Sequence, residues 1–141
     1  MLKSAHLIVF IIWSALCTSI FVYAVMLSLM SFASVKGDAS TVGRVIALAA
    51  GSAAALSFVL RKLLLGDFSA GKIKAEDAAH RGRFIAGNIV VFALSEGVAA
   101  LGFVNGISNN GQSDAWLPYL GLSLILMLAH IPLPSRFKSA S

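Results

Sequence analysis

Four apolar stretches separated by short polar ones organise this chain. Uncharged residues run from Ser4 to Val35, and within them Leu7 to Ala33 reads as a membrane-crossing helix. The stretch is too long for the apolar core of a secretory signal, which runs to roughly 7–15 residues. A second span covers Val42 to Leu65, with Arg44 at one end and Arg61-Lys62 at the other placed to reach the headgroups by snorkelling. The third is Phe84 to Gly106, and the fourth is Trp116 to Leu133. Trp116 and Tyr119 mark an interfacial start for the fourth span, and Pro132 and Pro134 mark its end. Between the third and fourth spans, Ile107 to Ala115 contains Asn109-Asn110-Gly111 and reads as a turn. The predicted fold is an all-α integral membrane protein, a bundle of four transmembrane helices in one domain of 141 residues.

Composition agrees with that pattern. The chain is 58% hydrophobic and 12% charged, against about 25% charged residues in a soluble domain. So few polar groups cannot cover so much apolar side chain in water. The net charge of +5 then speaks to orientation rather than to nucleic acid, since the basic residues cluster between spans without interleaved aromatics. Lys3, Arg61, Lys62, Lys72, Lys74, Arg81, Arg83, Arg136 and Lys138 fall on one side and Lys36 and Arg44 on the other, nine against two. The excess predicts both termini in the cytoplasm, in the inner membrane if the source is bacterial. The connection Gly66 to Arg83 is then the one substantial cytoplasmic segment, and Ala70 to Arg83 is expected as a short polar helix against anionic headgroups.

The second span is unusual in its small residues. Ala47, Gly51 and Ala55 recur every four positions, which permits close backbone approach where lipid gives helices little hydrophobic reason to associate. This helix is expected to be the most closely packed element of the molecule or of its oligomer. The expected partners are accordingly the bilayer and either other membrane subunits or a second copy.

One acid stands inside the third span. Glu96 has twelve uncharged residues before it and ten after, which places it near a bilayer midplane. A carboxyl there costs several kcal/mol unless neutral or paired, so it marks a functional site by default. No lysine or arginine lies at that depth in any span. Desolvation penalises the charged form, so the neutral acid is the form expected at neutral pH. Asn88, Phe92, Glu96 and Ala100 recur every four residues, and Ser95 flanks the acid. The candidate ion-binding residues are therefore Glu96, Asn88 and Ser95. Hydrogen-bond partners at comparable depth are Thr18, Ser19 and Tyr23 in the first span and Ser52 in the second. A second role for such an acid is purely structural, a hydrogen bond that joins two helices.

The segment Ala93-Leu94-Ser95-Glu96-Gly97-Val98-Ala99-Ala100-Leu101-Gly102-Phe103-Val104 resembles the carboxylate helix of subunit c, the rotary ATP synthase proteolipid. A small-residue helix, a basic connection and an acid-bearing helix precede each other in the same order, so the likeness covers about residues 42–106. The resemblance implies that Glu96 binds and releases a proton, or less readily sodium, at a site between helices. The first and fourth spans lie outside it, and the connection lacks the family's arginine-glutamine-proline signature.

Other chemistry is sparse. Cys17 is a lone cysteine, which excludes an intrachain disulfide and a cysteine-built metal site. His6 and His130 sit near the same ends of the first and fourth spans, an arrangement compatible with a haem clamp, although interfacial histidines need no ligand. His80 belongs to the charged connection. No nucleophile motif, phosphate loop or dinucleotide glycine pattern occurs. No enzyme, cofactor or metal is expected.

Overall fold

The computed structural model describes residues 4–29, 39–75 and 77–133. Four helices account for nearly all of them: α1 (Ser4–Leu29), α2 (Ala39–Ser69), α3 (Arg81–Ser108) and α4 (Ser113–Ala129). The first three are long and apolar enough to cross a membrane. At 17 residues α4 is shorter, about 25 Å at 1.5 Å per residue. Its end comes earlier than the expected Leu133, because Pro132 follows within three residues of His130 and cannot continue a helix. The expected end of the first span (residues 30–33), Lys36, Glu76 and the positions beyond Leu133 lie outside the described residues.

The helices alternate in direction. His6 meets the Phe84 ring at 5.0 Å, while at the opposite ends Leu27 lies against Gly106, so α1 and α3 run parallel. Leu65 of α2 meets Gly87 near the start of α3, and Gly43 meets Asn105 near its end, so α2 runs antiparallel to α3. Tyr119 of α4 lies against Gly102, and Ser123 Oγ donates to the Ser95 carbonyl at 2.6 Å, so α4 is antiparallel to α3 as well.

α3 is the centre of this bundle and touches all three other helices. In its most apolar stretch 44% of the residues are buried, against 11% for α1 and 17% for α2. That overturns the expectation that α2 is the most closely packed element of the molecule. Ile46, Ala50, Ser57, Leu65 and Phe68 form the inner face of α2, whereas Ala47, Gly51 and Ala55 are exposed. The outside of the bundle carries Leu29, Leu48, Leu63, Ile125 and Leu128. In water such a surface would aggregate; in hydrocarbon it is the proper solvent-facing side.

Two turns follow from left-handed residues, one in the first and two in the second. Gly71 has φ 74°, which ends α2: Gly71 N donates to Phe68 O at 3.1 Å and Lys72 N to Asp67 O at 2.9 Å. Asn110 and Gly111, at φ 54° and 74°, play the same part after α3, with Asn110 N donating to Ile107 O and Gly111 N to Gly106 O. The expected polar helix over Ala70 to Arg83 does not form: turns occupy the described residues from Ala70 to His80, and α3 begins at Arg81. Asp67 instead pulls the segment together, pairing with Lys72 at 3.8 Å and Arg83 at 3.7 Å. These pairs are exposed and each contributes at most about 1 kcal/mol.

Candidate functional site: a carboxyl between two parallel helices

Glu96 is the sixteenth of the 28 residues of α3, facing the middle of α1. Its Oε1 accepts a hydrogen bond from Tyr23 Oη at 2.7 Å and lies 3.1 Å from Ser19 Oγ. Ser19 and Tyr23 are four positions apart, hence on one face of α1 and one above the other. Parallel packing of α1 on α3 brings that face to the acid at mid-depth. Tyr23 is held further by its ring, 5.3 Å from the Phe103 ring of α3. No cation contacts Glu96 among the described residues. The other oxygen, Oε2, takes no hydrogen bond among them, and the residue as a whole is half-buried.

The other expected site residues turn elsewhere. Asn88 is buried and its Nδ2 donates to the Phe84 carbonyl at 2.9 Å. Ser95 is buried and its Oγ donates to the Val91 carbonyl at 2.9 Å. Neither side chain hydrogen-bonds Glu96. A four-residue repeat overshoots the helical period, so eight residues from Asn88 to Glu96 rotate the side chain by about 80°. Asn88 therefore faces the core while Glu96 reaches the α1 margin. Of the four expected partners, Ser19 and Tyr23 reach the acid. Thr18 donates to its own helix at Ser14 O, and Ser52 is exposed on α2.

A second polar cluster joins α2 to the end of α4. His130 is 1% exposed rather than interfacial. Arg61 donates to its Nδ1 at 2.8 Å and to the Ala129 carbonyl at 3.2 Å, so the guanidinium caps α4 instead of reaching headgroups. Guanidinium has only donors, so Nδ1 carries the lone pair. Ser57 Oγ gives its hydrogen to Ala54 O at 2.7 Å and lies 3.2 Å from Nε2, which therefore bears the ring proton. Both imidazole nitrogens are thus engaged, which leaves His130 no lone pair for the iron of a haem. His6 packs on Phe84 at the start of α3. Replacing Arg61 with methionine leaves the Nδ1 lone pair and a helix-end carbonyl without this donor. The expected loss is about 1–3 kcal/mol of unfolding free energy in detergent, and an unchanged unfolding curve would remove the cap from the account.

No known protein family, no curated protein and no solved structure matches this chain.

Proposed function

We propose that Glu96 binds and releases a proton within the membrane, and that the protein is a c-like proteolipid that acts in ion translocation or as a subunit of a membrane complex. One observation carries this reading. A carboxyl in the middle of the most central helix is met by two hydroxyls and, among the described residues, by no cation. Glu96 is half-buried rather than sealed in the core, which leaves room for proton exchange with the outside of the bundle. A sodium site would instead gather several oxygen acceptors, whereas Tyr23 points a donor at Glu96. The likeness of the Ala93–Val104 segment to the subunit c carboxylate helix supports the same chemistry. The exposed small-residue face at Ala47, Gly51 and Ala55 fits association with a second copy or with other membrane subunits.

Carbodiimide modification tests the proposal, because the reagent attacks a protonated carboxyl in an apolar setting. Glu96 should label rapidly at neutral pH, and labelling should fall as pH rises. An inert Glu96 in the folded protein would count against proton binding. The hydrogen bonds from α1 also favour a second reading, in which Glu96 does nothing but join α1 to α3. Under that reading the protein keeps its activity when the carboxyl is replaced by an amide.

A further inference from the structure

The three oxygen–oxygen contacts around Glu96 do not match the number of hydroxyl hydrogens available to fill them. Leu16 O lies 2.8 Å from Ser19 Oγ, Ser19 Oγ lies 3.1 Å from Glu96 Oε1, and Oε1 lies 2.7 Å from Tyr23 Oη. Each contact needs one hydrogen. Ser19 and Tyr23 bring one each, and the Leu16 carbonyl brings none. Ser19 thus has one hydrogen for two acceptors, and the shorter of its two contacts is the one to Leu16. With the serine hydrogen on Leu16 O, the contact between Ser19 and Glu96 lacks a hydrogen unless the carboxyl supplies it; with it on Glu96, the carboxyl needs none.

We infer that Ser19 is a two-position hydroxyl switch that follows the proton on Glu96. With the carboxyl protonated on Oε1, Glu96 donates to Ser19 Oγ, Ser19 donates to Leu16 O, and Tyr23 donates to Oε1. All three contacts are filled in one direction along the row. When the proton leaves for a base outside the bundle, Ser19 Oγ loses its incoming hydrogen bond. A rotation about its own C–O bond then turns its hydrogen from Leu16 O to the carboxylate. The ionised acid holds two donors, Ser19 and Tyr23, on the same oxygen. No heavy atom has to move. Leu16 O gives up only a supplementary bond, since it lies inside α1 as a helical carbonyl. Ser19 is thus a positioning residue that satisfies both protonation states, and Tyr23 is a fixed donor to either.

The surroundings suit a switch with two states. α1 contributes Tyr23 as the one titratable group hydrogen-bonded to Glu96, and α2 and α4 place no charged side chain against it among the described residues. Ser95, next in sequence, is committed to Val91 O and does not compete.

This inference rests on the proton-binding reading, and infrared difference spectra of the full-length protein in lipid vesicles, stepped between acid and alkaline pH, separate the two. The protein with Glu96 should lose a protonated-carboxyl carbonyl band on going to alkaline pH, and Glu96→Gln should lack that band. With leucine carbonyls labelled by carbon-13, the same step should shift a labelled amide band as Leu16 O loses its extra donor. Ser19→Ala should keep the titrating carboxyl band at an altered frequency and lose the labelled amide shift, and Ser19→Thr should restore both. A Ser19→Ala spectrum identical to the unsubstituted one overturns the switch and leaves proton binding standing. A spectrum with no carboxyl band sensitive to Glu96→Gln overturns both.

Discussion

Glu96→Gln is expected to abolish the proposed pH-driven proton uptake and to leave the four helices assembled. The amide keeps an oxygen where Oε1 sits, so Tyr23 still finds an acceptor at about the present 2.7 Å. The stability change is expected to stay within about 1 kcal/mol, the net worth of a typical hydrogen bond. What disappears is the group that can lose a proton. Carbodiimide labelling at this position and proton release after a pH jump in vesicles should both fall to background. Glu96→Leu separates the two roles further. It removes the acceptor as well and strands the Tyr23 hydroxyl in an apolar setting, at a cost of about 1–3 kcal/mol. Detergent unfolding should therefore rank the unsubstituted protein and Glu96→Gln close together and Glu96→Leu well below. Proton release that survives in the glutamine variant would place the titrating group elsewhere.

The largest expected effect on folding comes from Gly102. A β-carbon there would collide with Cβ of Tyr119, and it would also approach the Trp116 carbonyl at 3.3 Å. Neither obstacle is the far end of a flexible side chain, so α4 has to move away from α3. Gly102→Ala is expected to cost about 1–3 kcal/mol, the usual range for overpacking a well-filled interior. Gly102→Leu should prevent the α3–α4 pair from closing. Gly97 supplies the control, since a β-carbon added beside the acid meets nothing within 4 Å. Unfolding of Gly102→Ala indistinguishable from that of Gly97→Ala would mean that the α3–α4 contact is looser than described.

The helices and the acid were legible because both are signals of composition along one dimension. A charge inside an apolar run stands out whatever packs against it, and Asn109-Asn110-Gly111 announces its own turn through residues that accept positive φ. The partners of the acid were legible only as a set of four that held the right two, Ser19 and Tyr23, because depth is readable from a span while rotation about the helix axis is not. Thr18, Ser19 and Tyr23 lie at similar depth, yet only a known α1–α3 packing face decides among them. One cue was available: hydroxyls spaced four apart, at Ser19 and Tyr23, share a face, and Thr18 and Ser19 do not. Asn88 was drawn in by a four-residue repeat whose drift turns it into the core. The Arg61–His130 contact joins residues 69 positions apart, and no local pattern announces such a meeting. The small-residue row on α2 does not pack within the bundle: Ala47, Gly51 and Ala55 are exposed, and Ile46, Ala50 and Ser57 take the inner face, which continues into Leu65 and Phe68.

Parallel packing of α1 on α3 has a bearing on how the chain is made. A ribosome releases α1 first, so the two hydroxyls are already lodged in the bilayer before the acid leaves the exit tunnel. The carboxyl thus enters oil toward waiting donors on the same polypeptide rather than having to find them on a neighbour. A fragment that begins at α2 would have to thread the identical acid across the membrane unaccompanied.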